Sequence, residues 1–297
     1  MSIPSSILAA TDFSAPSRHA AGRAARLAHE TGLPMTLMHA VSNRAVDELR
    51  HWLGAGHLAE QHLFAEAGQR LEQLADELAA ARHVTVQTHL SSGPVLDMIS
   101  QHAEAINAEL LVLGVCGTGF LRRLVLGNTA ERLLRRSTRP LLIVKQMPHE
   151  PYRRVLVALD FSPWSAPAIE TARRVAPHAR LVLLNAFEVP LEGKLQLAGV
   201  DPLTIEHYRQ QARANARRRL DTLAQQAGLK PGHWDACVVE GQAWQCIVEQ
   251  EQELDCDLVV LGKHGQSAAE ELLLGSVTKS VLAESSSDVL VSMACKA

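Results

Sequence analysis

The chain has 297 residues, of which 47% are hydrophobic and 21% charged, and its formal net charge is −3. This composition is ordinary for a globular protein with two hydrophobic cores, and the small negative charge argues against bulk binding of DNA or RNA. No run of roughly 18 apolar residues predicts a membrane span, and the five cysteines form no C-x-x-C pair, so we expect a cytoplasmic protein with reduced thiols.

The first half of the chain predicts five strands that alternate with four helices. We predict strands at residues 6–11, 35–41, 84–90, 110–113 and 141–144, and helices at about 15–31, 44–82, 94–107 and 128–136. Ser14 is the expected N-cap of the first helix, and Gly32 ends it. Parallel strands need long crossover connections, so this order predicts a parallel sheet with helices on both faces.

The second half repeats the first at a fixed offset. Six residues lie 148 positions after an identical residue, namely Asp160, Gly241, Gly262, Gly265, Gly275 and Leu290. Strands are predicted at 155–159, 181–186, 235–239, 258–261 and 289–291, and helices at about 164–176, 204–227 and 243–253 and after 275. The sequence therefore predicts two α/β domains, residues 1–147 and 152–297, each with a five-stranded parallel sheet.

In each half the fourth strand leads into a glycine loop of pattern G-x2-G-x9-G. Glycines let the backbone approach a ligand, and the open N–H groups of the helix that follows attract an anion. In open parallel sheets, ligands bind beyond the carboxyl ends of the strands, where the strand order reverses. If the first and fourth strands are neighbours there, Asp160 lies across a crevice from Gly262. A nucleotide offers sugar or base donors to the carboxylate and phosphates to the loop.

The G-x2-G-x9-G-S pattern, the Asp-Phe-Ser sequence after the first strand and the duplication resemble the universal stress protein family. The resemblance covers nearly the whole chain and is closest in type to tandem universal stress protein E relatives. It implies two tandem Rossmann-like domains of the adenine nucleotide α-hydrolase-like type, a cytoplasmic location and stress-related expression. Many members of the family bind ATP with Mg²⁺, so the resemblance implies ATP or another adenine nucleotide as the cofactor, and Mg²⁺ could accompany it.

Carried over by position, the resemblance implies a contact set in each half. In the second half the adenosine end would contact Ala158, Leu159, Asp160 and Phe187, and the phosphates Gly262, Gly265, Gly275, Ser276, Val277 and Thr278. The corresponding residues of the first half are Ala10, Thr11, Asp12, Val41, Gly114, Gly117, Gly127, Asn128 and Thr129. Asn128 departs from the Ser or Thr of nucleotide-binding members. We expect it to keep a helix-capping role, and we expect the second half to be the better nucleotide site.

Residues near the loops have alternative interpretations. Lys263 and His264 could contact phosphate or catalyse slow hydrolysis, but we expect them to be solvated loop residues. Asp12 and Asp160 could merely cap the helices that follow them. We expect Arg213 and Arg217 to Arg219 to form a solvated helix face. We assign no catalytic residue and no metal ligand.

Three functions stay open at this stage. The first is a nucleotide-binding sensor or regulator with at most weak ATP hydrolysis, and the second is a scaffold that binds an unidentified protein partner and whose glycine loops only make turns. The third is an adenylyltransferase or ATP pyrophosphatase, but the His-x-Gly-His, Ser-Gly-Gly-x-x-Ser and Walker patterns that such enzymes use do not occur. We also expect the last strands of the two halves to pair as an intramolecular pseudo-dimer, and a homodimer stays open.

Overall fold

The computed structural model describes residues 5–43, 57–115, 127–188, 200–265 and 274–293. The chain divides into two compact units, Met1–Pro151 and Tyr152–Ala297. In the described ranges each unit contains five strands and four helices in the same order. No helix in these ranges is both long and apolar enough to cross a membrane.

The first unit is a parallel sheet of order β3-β2-β1-β4-β5. Its strands are β1 (Ser6–Ala10), β2 (Met35–Val41), β3 (Val86–Ser92), β4 (Ala108–Gly114) and β5 (Leu141–Val144). Its helices are α1 (Ala15–Thr31), α2 (His57–Arg82), α3 (Val95–Ala105) and α4 (Asn128–Arg136). The strand order reverses at β1, which makes β1 and β4 hydrogen-bonded neighbours although they are distant in sequence.

The second unit repeats this arrangement with the order β8-β7-β6-β9-β10, again all parallel. Its strands are β6 (Arg154–Ala158), β7 (Arg180–Phe187), β8 (Trp234–Glu240), β9 (Leu258–Gly262) and β10 (Asp288–Ser292). Its helices are α5 (Ser165–Val175), α6 (Pro202–Gln226), α7 (Ala243–Glu253) and α8 (Ser276–Glu284). Helices cover both faces of the sheets, so the predicted fold class is confirmed.

The central strands are buried on both faces. In β9 the run from Leu258 to Val260 has no exposed surface, and in β1 the run from Ile7 to Ala9 is at most 1% exposed. A strand covered by helices on both sides needs apolar side chains at every position, not only at alternate ones. Each fully buried Val, Leu or Ile side chain contributes about 1.5–3 kcal/mol of transfer free energy, so these strands anchor the two cores.

The end of β4 approaches α1 so closely that a side chain does not fit there. A Cβ atom on Gly114 would lie 2.6 Å from the carbonyl carbon of Pro16 and 2.9 Å from the backbone nitrogen of Ser17. At Gly262, the equivalent position of the second unit, a Cβ atom would lie 3.2 Å from the Cβ of Trp164. The glycine that begins each loop therefore has a packing role, and the helix lies closer to the strand end in the first unit.

The first helix has the ends that the sequence predicts. The hydroxyl of Ser14 accepts a hydrogen bond from the backbone N–H of Ser17, and Gly32 ends the helix in the left-handed conformation with φ 71°. Both predictions are confirmed. The N-cap fixes where α1 begins, and this sets the close approach to Gly114.

We expect Gly114→Ala to lower the free energy of unfolding by about 1–3 kcal/mol, because the backbone at Pro16 must move to admit a methyl group. Gly68→Ala is the matched control, since a Cβ there would lie 3.7 Å from Leu90, an ordinary contact. Within a helix this control should stabilise the protein by up to about 1 kcal/mol. Urea unfolding followed by circular dichroism measures both, and equal stability of the two variants would contradict the close approach.

Candidate functional site

A cavity of about 160 Å³ lies at the carboxyl ends of the central strands of the second unit. Strands β6 and β9 are parallel neighbours, with Val157 opposite Val260. Asp160 follows β6 and Gly262 ends β9, so the two chain segments leave the sheet side by side. This is the place where open α/β sheets bind ligands, because the connections diverge there to opposite faces.

Most of the residues predicted for the second half line this one cavity. They are Ala158, Leu159, Asp160, Gly262, Gly265, Gly275, Ser276, Val277 and Thr278. Phe187 lies elsewhere, in a cavity between the sheet and α6. Strand β7 instead contributes Leu184 and Ala186. Successive side chains of a strand point to opposite faces, so Ala186 reaches the cavity and Phe187 does not.

The carboxylate of Asp160 lies opposite the glycine loop. Its Oδ1 atom accepts hydrogen bonds from the N–H of Ser162 at 3.0 Å and the hydroxyl of Ser165 at 3.3 Å. A Cβ atom on Gly265 would lie 3.0 Å from the Oδ2 atom. The Oδ1 atom of Asp160 therefore takes part in the turn, and the Oδ2 atom lies against the glycine loop.

Helix α8 begins without a side-chain cap. Gly275 is its N-cap, with φ −56° and ψ 147°, and this residue forms no side-chain cap bond. The hydroxyl of Thr278 donates to the carbonyl of Gly262 at 3.1 Å, which ties the helix to the end of β9. The first-turn N–H groups, including those of Ser276 and Val277, have no partner within the helix. Because these residues line the cavity, the positive end of the helix dipole is presented to it.

Lys263 and His264 are buried, each with 7% of its surface exposed, so the expectation that they are solvated is wrong. The N–H of Lys263 donates to Ser292 at 3.0 Å, and its carbonyl accepts from Gly275 at 3.3 Å. The indole of Trp164 lies 5.2 Å from the His264 ring, centroid to centroid. Strand β10 and the residue that begins helix α5 thus enclose the base of the loop.

The first unit closes its loop with the same hydrogen bonds. The N–H of Val115 donates to Val144 at 3.0 Å, and its carbonyl accepts from Gly127 at 2.9 Å. Gly127 is the N-cap of α4, and Asn128 is the first helical residue. The expected capping role of Asn128 is therefore wrong, because the glycine already occupies the cap position and no side-chain cap bond forms.

The other predicted residues of the first unit are tied into local structure. The hydroxyls of Thr11 and Ser17 hydrogen-bond at 2.9 Å, and Val41 packs against Ala67 in a buried cluster. The Oδ1 atom of Asp12 accepts from the N–H and the hydroxyl of Ser14. The remaining residues are partly or fully exposed, namely Ala10, Gly114, Gly127, Asn128 and Thr129. Gly117 lies outside the described residues.

Sequence reasoning missed several residues that line the cavity of the second unit. Trp164 and Ser165 line it from the start of α5, and Ala243 and Ile247 line it from α7. The recurrence of Ser165 at the position of Ser17 was an available signal. Trp164 gave none, because the first unit has Pro16 in its place.

These features define a tandem, doubly wound α/β protein with a cavity at the strand-order reversal of its second unit. The model of the universal stress protein family matches residues 5–145 and again residues 151–292. The chain belongs to the universal stress protein family, as a member with two domains of that type.

Relatives share the tandem length. A universal stress protein of Mycolicibacterium smegmatis is 29% identical over 300 residues, covering 96% of both chains. One from Mycobacterium tuberculosis is 28% identical over 301 residues, covering 96% of this chain and 95% of the relative. The crystal structure of a universal stress protein from Archaeoglobus fulgidus matches with a TM-score of 0.71 over 97% of this chain and 98% of that one. At 19% identity this last likeness shows the fold alone.

We expect Thr278→Val to lower the free energy of unfolding by about 1–2 kcal/mol, because it removes a donor from a carbonyl in a buried setting. The side chains are isosteric, and Thr278 is 4% exposed. Ser276→Ala, on the exposed side of the same turn, should change stability by less than about 0.5 kcal/mol. Thermal unfolding of both variants tests the bond, and equal losses would contradict its role.

Proposed function

We propose that this universal stress protein binds an adenine nucleotide, ATP in the first place, in the cavity of its second unit. It acts in the stress response as a cytoplasmic sensor or regulator. The observation that carries the proposal is the position of Asp160 across the cavity from the uncapped first turn of α8. A carboxylate and an anion cradle at one crevice match the two ends of a nucleotide.

The polar side of the cavity suits phosphates. A glycine cap leaves the first-turn N–H groups open, and the hydroxyl of Ser276 stands beside them at the cavity wall. A helix N-terminus stabilises a nearby anion by about 0.3–1 kcal/mol at exposed positions and by more where water is excluded. Gly262, Gly265 and Gly275 keep the surrounding walls free of side chains.

The other side of the cavity is small and apolar. Leu184, Ala186, Ala243 and Ile247 form a wall that suits a flat base. At about 160 Å³ the cavity is smaller than the roughly 300 Å³ at which typical ligand pockets begin. It therefore suits the base and sugar, with the phosphates along the first turn of α8 at the mouth. Asp160 lies between the two parts, where sugar hydroxyls can donate to it.

The donor set favours binding over turnover. Among the described residues, no three His, Cys, Asp or Glu side chains are grouped so that they could hold a metal ion. Mg²⁺ that accompanied ATP would be held mainly by phosphate oxygens and water, as this ion usually is. His264 and Asp160 line the cavity, but Asp160 is committed to a turn through one of its oxygens.

The second unit is the better candidate because its first helix lies less close to the end of its fourth strand. In the first unit Pro16 lies against Gly114, where a Cβ would be 2.6 Å from the Pro16 backbone. We therefore propose a division of labour, with the nucleotide in the second unit and a structural or partner-binding role for the first.

Titration calorimetry of the full chain with ATP tests the proposal, and Gly275→Val should weaken binding more than tenfold. Among the described residues, a Cβ on Gly275 would meet Lys263 and Thr278, at 3.6 and 3.7 Å, so the fold should tolerate it while the side chain obstructs the phosphates. Gly127→Val changes the equivalent cap of the first unit and should leave the affinity unchanged. No heat and no thermal shift at millimolar ATP would leave only the scaffold function.

Asp160→Asn should weaken ATP binding about tenfold, because the neutral amide loses the charge-assisted hydrogen bonds from sugar hydroxyls. The amide oxygen can still accept from Ser162, so the turn should persist. Asp12→Asn is the matched control in the first unit and should have no effect on affinity. Equal affinities of the two variants would place the nucleotide away from Asp160.

A further inference from the structure

The turn after the first strand has a strained residue in both units. Phe161 has φ 63° and Phe13 has φ 65°, values that cost an ordinary L-residue about 1–2 kcal/mol. In each turn the preceding aspartate accepts from the residue after the phenylalanine, at 3.0 and 3.1 Å. A strained backbone conformation persists only where the surrounding structure holds it, and such residues cluster at functional sites. Here the phenylalanine ring is the side chain that the turn positions.

In the second unit this ring borders a cavity of about 360 Å³ between the sheet and α6. Phe187 forms another wall. Ala212 and Ala216 lie one helical turn apart on α6, and their small side chains leave open space between the helix and the two phenylalanine rings. Asp160 and Ala186 line both this cavity and the one proposed for the nucleotide. The two cavities are thus neighbours with a common wall.

Arg219 supplies a positive charge at this second cavity. Its guanidinium carbon lies 3.9 Å from the centroid of the Phe161 ring, so this exposed residue of the solvated helix face also lies on the ring. The N–H donors of a guanidinium lie in its plane, so stacking leaves them available to an anion. On the same helix, Arg209 and Arg217 form ion pairs, whereas Arg219 makes none with the part of the chain that the structure describes.

The first unit has a cavity of about 360 Å³ at the corresponding turn, but with different walls. Arg18 and Arg70 lie there, and both are engaged, by the carbonyl of Phe13 and by Glu66. Glu77 brings a negative charge to the same cavity. Among the described residues of these two cavities, apolar walls beside a cation that lies on an aromatic ring therefore occur in the second unit.

We propose that the cavity between Phe161 and α6 binds a small molecule that has an aromatic or apolar body and a single anionic group. The body would lie on Phe187 and the two alanines, and the anion would meet Arg219. Among the described residues that line this cavity, Arg219 is the cation, which matches a ligand with a single anionic group and not the several charges of a polyphosphate. The inference does not depend on the nucleotide proposal.

The test uses two fluorescent probes with the full chain in the absence of nucleotide. One is 1-anilinonaphthalene-8-sulfonate, and the other is N-phenyl-1-naphthylamine, which has the same aromatic body without the sulfonate. Arg219→Gln should weaken saturable binding of the sulfonate at least fivefold and leave binding of the neutral probe unchanged. Arg218→Gln, on the neighbouring exposed residue, controls for the charge of the helix and should change neither.

A second pair of variants tests whether the probe lies inside the cavity. Ala212→Leu fills it and should weaken both probes at least fivefold, whereas Ala214→Leu, on the exposed side of α6, should not. Circular dichroism checks that every variant is folded. Equal effects of Arg219→Gln and Arg218→Gln, or no effect of Ala212→Leu, would overturn the proposal. No nucleotide is present in this experiment, so its outcome does not change the interpretation of the ATP titration.

Discussion

The pairing of β6 with β9 is the interaction on which the site depends. Parallel strands must satisfy their backbone hydrogen bonds with neighbours, and the order β7-β6-β9 makes two strands adjacent that are distant in sequence. Their connections then leave for opposite faces. This alone brings Oδ2 of Asp160 against Gly265 and sets α8 at the rim of the cavity. The carboxylate and the loop face each other because the sheet holds their strands together.

The two units share one backbone frame at the base of their loops. Both units close the loop base with the same backbone bonds and begin the following helix at a glycine. They differ in what surrounds that frame. Where the second unit has Trp164 and an apolar Leu159, the first has Pro16 and a Thr11 whose hydroxyl is bonded to Ser17. The backbone frame is therefore common to both units, and the side chains around it differ.

Much of the fold follows from the sequence, because continuous apolar runs such as 258–261 and the 148-residue offset are local or repeated signals. The burial of Lys263 does not follow, since it depends on a hydrogen bond to Ser292, which only the folded sheet brings near. The position of Phe187 was missed because β7 continues through this residue, and alternation then turns its ring toward α6. The cap of α4 was misplaced by one residue, since Gly127 has the extended backbone angles of a cap residue and Asn128 already belongs to the helix. The apolar runs and the repeat thus predict the fold, whereas the burial of Lys263 and the direction of Phe187 depend on contacts that form only in the folded chain.

A crystal structure of the full chain grown with a non-hydrolysable ATP analogue tests the central claim most directly. The account predicts one nucleotide in the second unit, with its phosphates at the backbone N–H groups of Ser276 and Val277 and its sugar hydroxyls at the carboxylate of Asp160. Density for the analogue at any other place, or an empty crevice between β6 and β9 at saturating analogue, would contradict it.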